Sequence, residues 1–202
     1  TLLAGSMAEG CRLHGRPLLA PPAPGTDPAF DRRLAEQPAA AEPLYLMMAG
    51  LHAVRHGLAN LLALGRLDLA LELACWERDR LRTLARSRGV PERILLHLVA
   101  CVTLQRGLPR RQRRALIERE CEALRWRDMA AYEPLAELLI DALPPAEDGT
   151  TLRGIEPDLI GETLCLLLVT TDDELDARAL IDRCRERGLA IRSSTIRSST
   201  VR

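Results

Sequence analysis

Lysine is absent from this 202-residue chain: all 28 basic side chains are arginine. A phosphate-cradling loop of the G-x-x-x-x-G-K-[ST] type needs a lysine, and Schiff-base chemistry needs a lysine amine, so neither can be completed within this sequence. By itself the chain is no P-loop ATPase. Aromatic residues are almost as scarce, at 2% with a single Phe. Strands draw on Val, Ile, Thr and aromatics, whereas abundant Leu, Ala, Arg and Glu favour helix, so a mostly helical fold is expected. No C-x-x-C occurs; Cys11, Cys75, Cys101, Cys121, Cys165 and Cys184 lie singly, with no short-spaced pair to seed a zinc site or a disulfide framework. Reduced thiols in a cytoplasm are the expectation. Long apolar runs are missing too. The longest uncharged stretches, such as Pro43–Val54 and Ile94–Gln105, fall well short of the roughly 20 residues of a membrane-spanning helix. No charged segment precedes an apolar run at the N-terminus, so no secretory signal is visible. There is no G-x-S-x-G and no recognisable Ser, His and Asp order. No catalytic residue is expected, and no enzymatic activity.

What is present is 47% hydrophobic and 28% charged residues with a formal charge of zero, the composition of a globular chain of one domain or two small ones. The charge balance disfavours a protein whose main task is long-range attraction of nucleic acid or anionic lipid, although a local basic face remains open. The chain opens at Thr1 rather than Met, and we expect a piece of something longer.

Residues 16–28, with five prolines, read as a loop, and the whole of 1–27 as a peripheral linker segment. Asp27-Pro28 is an N-cap with proline in the first turn and predicts a short helix through about Gln37. A second helix is expected from near Ala41, with Pro43 in its first turn, to a stop at Gly57. Three- and four-residue spacing of Leu67, Leu71, Ala74, Cys75, Leu81, Leu84 and Ala85 predicts a long helix over 66–88. Gly89 ends it and Pro91 opens the next, which runs to Gly107. Pro109 is expected to start a helix reaching about Trp126, followed by another near Tyr132–Leu139. The turn residues Pro144, Pro145, Asp148 and Gly149 beside Thr150-Thr151-Leu152 predict a small β-hairpin within 140–155. Helix returns at Pro157 and again over 171–188, where Asp172-Asp173-Glu174 supplies an acidic start. The tandem repeat IRSSTIRSST leaves 189–202 as a disordered tail.

The segments AAEPLYLMMAGL (40–51) and LRGIEPDLIGETL (152–164), with LACWERDRL (73–81) and LLHLVACVTLQRGLP (95–109) between them, resemble bacterial STAND ATPases. These are signal-transducing relatives of NACHT proteins and apoptotic ATPases, and the likeness is to the region after their nucleotide-binding core. The resemblance covers roughly 28–170. It implies a helical lid-like bundle, 28–90, followed by a winged-helix-like domain, 91–170, whose wing lies around Asp148-Gly149. It also implies that Ala41-Glu42-Pro43-Leu44 stands at the G-x-P-L motif, in which proline packs on adenine. Ala41 replaces the motif's glycine. Pro43 is thus a candidate nucleotide-binding residue for ATP or ADP, but only with the core of a parent chain; the chain alone would carry no cofactor. The plainer reading is that Pro43 merely starts a helix. Some relatives use a histidine in a Met-His-Asp motif to contact the β-phosphate. That motif is missing, and His97 between Leu96 and Leu98 reads as packed.

Arg110, Arg111, Arg113 and Arg114 form the sharpest basic cluster, where a helix-turn-helix would begin its second helix. Glu118, Glu120 and Glu122 follow and would repel a phosphate backbone, so a solvated or partner-binding face is favoured over DNA contact. His52 and His56 have metal-ligand spacing on a helix. No acidic or cysteine third ligand lies near them in the sequence and Arg55 adjoins them, so no metal site is expected. Glu156, Asp158 and Glu162 read as an acidic helix start near Gly161, which would let two helices approach closely. The function expected is that of a non-catalytic regulatory fragment whose partners are a P-loop core, other domains of a parent chain or other proteins, with no membrane association. A DNA-binding winged-helix regulator and a helical scaffold are the alternatives, the latter disfavoured by the lack of a 34-residue period.

Overall fold

The structure, a computed structural model, describes residues 2–13, 15–126, 132–171 and 178–186. It is mostly helical, with one small antiparallel sheet. The helices are α1 (Leu2–Leu13), α2 (Pro28–Glu36), α3 (Pro43–His56), α4 (Arg66–Ser87), α5 (Glu92–Leu104), α6 (Arg113–Ala123), α7 (Tyr132–Ala142), α8 (Asp158–Thr171) and α9 (178–186). The strands are β1 (Leu108–Pro109) and β2 (Thr151–Leu152). The chain divides into two compact units, Thr1–Leu73 and Ala74–Arg202. That boundary falls inside α4, whereas the sequence placed one between 90 and 91.

In the first unit, the Asp27 carboxylate accepts from the backbone N–H groups of Ala29 and Phe30, both at 3.0 Å, and starts α2 as expected. The N-terminal segment departs from expectation. Far from being a peripheral linker, residues 2–13 form α1 and bury Leu3, Met7 and Cys11. Those three recur at helical spacing, and the cause of the burial is a close crossing with α3. A Cβ on Gly10 would come within 3.2 Å of Leu51 and Val54, and one on Gly50 within 3.1 Å of Leu3 and Ser6. Glycines at both positions let the two backbones approach, and the Ser6 hydroxyl donates to the Met47 carbonyl at 2.6 Å. The proline-rich span is held as well, since Arg16 Nη1 donates to the Val54 carbonyl at 2.9 Å.

The second unit is built around α5, in which every residue from Ile94 to Val102 is buried. A helix apolar on all sides has to be surrounded, and α6, α7 and α8 all pack against this one. Gly161 brings α8 onto α5 as its position suggested: a Cβ there would meet Thr103 Cγ2 at 2.8 Å and the Ile155 carbonyl oxygen at 2.5 Å. After α5 the chain reverses through Arg106 and Gly107, both at positive φ, and enters β1. Pro109 ends β1 in extended conformation and at the same time caps a 3-10 turn, Arg110–Gln112, that leads directly into α6 at Arg113, so helix does start after Pro109 as expected, although it ends at Ala123 rather than near Trp126. The expected hairpin at 140–155 is present in narrow form, with an antiparallel bridge between Pro145 and Leu152, but Leu152 also pairs with Leu108 on its other side. A local turn signal could not show that long-range partner. The Asp148 carboxylate accepts from the N–H groups of Thr150 and Thr151 at 2.9 and 3.0 Å, and these bonds pull its pKa down to about 2. Of the expected helix 171–188, residues 178–186 are helical and 172–177 lie outside the described residues, as does the tail 189–202.

Because Met7 is fully buried, Met7→Ala should cost about 2–5 kcal/mol. Urea unfolding followed by circular dichroism would measure it, and a change under about 0.5 kcal/mol would return 1–27 to the status of a peripheral segment.

Candidate functional site

Pro43 occupies the first turn of α3, entered through Glu42 in extended conformation at φ −90° and ψ 121°. That is the backbone a residue before proline prefers, and the missing proline N–H costs nothing at a helix start. The entry is anchored on both sides. Glu42 pairs with Arg66 at 3.0 Å, and the buried Tyr45 donates its hydroxyl hydrogen to the Leu64 carbonyl at 2.9 Å. Pro43 itself is exposed, so its ring presents an apolar face at the surface of the first unit.

The second unit holds a buried polar cluster that sequence reasoning missed. His97 on α5 and Glu120 on α6, each 1% exposed, meet at 2.9 Å between Nε2 and Oε2. The same carboxylate oxygen accepts from Arg183 of α9, with Nε and Nη2 both at 3.0 Å. Burial alone would raise the Glu120 pKa. The hydrogen bonds from His97 and Arg183, with their charges, outweigh that and hold it below the usual carboxylate value. In the sequence Glu120 is one of a run of acids, although its spacing from Leu116 and Ile117 puts it on the buried face of α6. His97 is packed, as its apolar neighbours suggested, and its depth keeps it from any surface-bound phosphate.

Arg110, Arg111, Arg113 and Arg114 fall on the turn after β1 and the start of α6. Arg110, Arg111 and Arg114 are exposed and Arg113 is half-buried. Arg114 is committed within the unit: it donates to Glu118 at 2.7 Å and its guanidinium lies 5.2 Å from the centre of the Tyr132 ring. The acidic trio lines an open cleft of about 410 Å³, in which Glu156, Asp158 and Glu162 face Thr103, Arg106 and Cys165. Burial pushes the Cys165 thiol up to about 12 and the Cys121 thiol up to about 11, so both remain protonated near neutrality.

In the first unit the structure supplies what the sequence did not offer to His52 and His56. The two rings stack with centroids 4.5 Å apart, and Glu72, from the next long helix, places Oε1 3.4 Å from His56 Nε2. The expectation that no acidic ligand is near this pair is therefore corrected: an acid distant in sequence is brought close by α4. His52 is buried, and burial first, then the charge of His56, lowers its pKa against the opposing pull of Glu72.

Compared with protein-family models, with curated proteins and with solved structures, the chain has no significant match in any of the three. Among the described residues no helix is long and apolar enough to cross a membrane.

The buried cluster sets an acid limit on stability. The Glu120 pKa is lower folded than unfolded, so its contribution is fully present above the ordinary value of 4.5 and is lost as pH falls through the folded value. Glu120→Ala should cost about 3–5 kcal/mol at pH 7 and flatten the acid limb of a stability-against-pH profile. Urea midpoints across pH 3–7, chosen to bracket the carboxylate range, would check both effects.

Proposed function

We propose that the chain is a non-catalytic regulatory element of a STAND-type ATPase, with a lid-like helical part carrying Pro43 and a winged-helix-like part in the second unit. One observation carries this reading: the order of elements and their pairing between α5 and β2. Helix α5, strand β1, helices α6 and α7, a bridge at Pro145, the Asp148-Gly149 turn and strand β2 follow one another, and Leu152 pairs with both Leu108 and Pro145. A winged helix has this order, with the strand after the wing lying between the other two. The exposed Pro43 at the start of α3 suits the adenine-facing role that the resemblance implies. The mechanism is a domain movement coupled to the nucleotide held by a P-loop core in the parent chain.

The DNA-binding alternative is disfavoured by α7, the helix that would enter the major groove. Its sequence, YEPLAELLIDA, has no basic residue, and Glu133, Glu137 and Asp141 are on its exposed side. Such a face repels phosphate and suits a protein partner.

Sequencing the coding region upstream of the Thr1 codon should reveal a G-x-x-x-x-G-K-[ST] loop and an acidic strand after it; an in-frame start with neither overturns the proposal. In the complete chain, Pro43→Ala should weaken ADP binding about fivefold, since roughly 40 Å² of apolar contact is worth about 1 kcal/mol. Isothermal titration would measure this, and unchanged affinity removes the adenine role. Low-salt gel shifts should show no DNA binding, with Arg110→Ala and Arg111→Ala without effect.

A further inference from the structure

We infer that His52, His56 and Glu72 form a binding site for a divalent transition-metal ion of the zinc class, clipping α3 to the start of α4 within the first unit. Three independent features of the geometry converge on it. One ligand atom from each side chain can be chosen so that all lie within 4.8 Å of one another. The separation of His56 Nε2 from Glu72 Oε1 is 3.4 Å. Zinc bonds to nitrogen and oxygen of about 2.0–2.2 Å, meeting at a tetrahedral angle, put two ligand atoms about 3.4 Å apart, so this edge already has the length that coordination requires. His52 closes the triangle, with a ring nitrogen within 4.8 Å of both other ligand atoms.

The second feature is the mixture of rigidity and access. His52 is 6% exposed and held by packing, whereas the side chains of His56 and Glu72 are 40% and 37% exposed. A fixed ligand at the base with two half-open ligands above it leaves an entry path and a fourth position for water. The third is charge. The set carries one carboxylate, whose charge a divalent ion offsets, and two imidazole rings stacked 4.5 Å apart, the nitrogen and oxygen donors that such an ion takes. His56 is also the last residue of α3, where the helix macrodipole favours cations. Two imidazoles with a single carboxylate select zinc, nickel, cobalt or copper over calcium and magnesium, which require oxygen-rich shells.

Among the described residues, the other group of potential ligands, His97, Cys101 and Glu120, does not share these properties. It is wholly buried, and the Glu120 carboxylate is occupied by the Arg183 guanidinium, whose charge opposes a cation. The His52 site stands apart from the nucleotide reading above and survives the failure of that reading.

The test uses the whole chain with zinc(II), and with cobalt(II) as a spectroscopic probe. We expect one equivalent to bind, the ring resonances of His52 and His56 to shift while those of His97 stay in place, and cobalt to give the visible bands of a four-coordinate nitrogen and oxygen site. Thermal midpoints should rise with free zinc, because the metal binds only the folded unit. Glu72→Gln, which keeps the side chain's shape, and His56→Ala, at a half-exposed position, should each weaken zinc binding by about 10- to 100-fold or more with unchanged far-UV dichroism. Zinc bound with unchanged affinity by both variants would place the metal on the cysteines or elsewhere and overturn the assignment. Unmoved His52 and His56 resonances at saturating zinc would overturn it too.

Discussion

The second unit depends on a single carboxylate oxygen. Glu120 Oε2 receives both the imidazole of His97 and the guanidinium of Arg183, and so joins α5, α6 and α9 at one point where the acid and the imidazole are buried. A charge taken out of solvent is costly unless its partners restore what hydration supplied. Here the partners come from elements far apart in sequence, so the carboxylate keeps both of them only when all three helices are in register. An apolar core of Leu, Ile and Val tolerates a shifted helix with modest loss. A buried carboxylate with two directional donors does not, and that intolerance specifies the packing around α5.

Close approach of backbones is the complementary constraint. The chain has few aromatics with which to fill space, and its helices instead draw together at Gly10, Gly50 and Gly161. Each of these glycines sits where a Cβ would strike a side chain or a carbonyl of the facing segment. Glycine weakens an isolated helix by about 1 kcal/mol relative to alanine, so its use inside α1, α3 and α8 marks positions where contact between elements outweighs local propensity. The same exchange explains why residues 2–13, with three small residues among the first six, still form a buried helix.

How far the sequence was legible follows from the range of each signal. Helix starts written in local chemistry, such as Asp27-Pro28 and Pro43, are found in the structure within a residue or two. The extent of α4 is likewise local, but its buried face is not: Leu67 and Leu71 of the expected stripe are exposed, while Leu69, Ala70 and Leu73 are buried. The pairing of Leu108 with Leu152 is not local either, since two-residue strands carry no alternation and the turn at Asp148-Gly149 announces only its nearer partner, Pro145. The same limit hid Glu72 from His52 and His56, and Arg183 from Glu120. Read alone, the acids Glu72 and Glu120 have ordinary surface explanations; only the fold shows which acids are partners and which are solvated.

The absence of lysine bears on these clusters as well as on the classes it excludes. A lysine at position 183 would offer one compact ammonium, strongly hydrated and inclined to lose its proton when drawn against a buried site. Arginine keeps its charge at any accessible pH and delivers two N–H groups to one oxygen in a fixed plane, which is the geometry seen at Glu120. Elsewhere the same fork reaches two acceptors at once: Arg80 binds the Glu77 carboxylate and also donates to the Ala142 carbonyl at 2.7 Å, closing the end of α7. A chain limited to guanidinium cations thereby gains pairs that are directional as well as charged. In a fold with so few aromatic anchors, that directionality supplies part of the uniqueness that large rings supply in other cores.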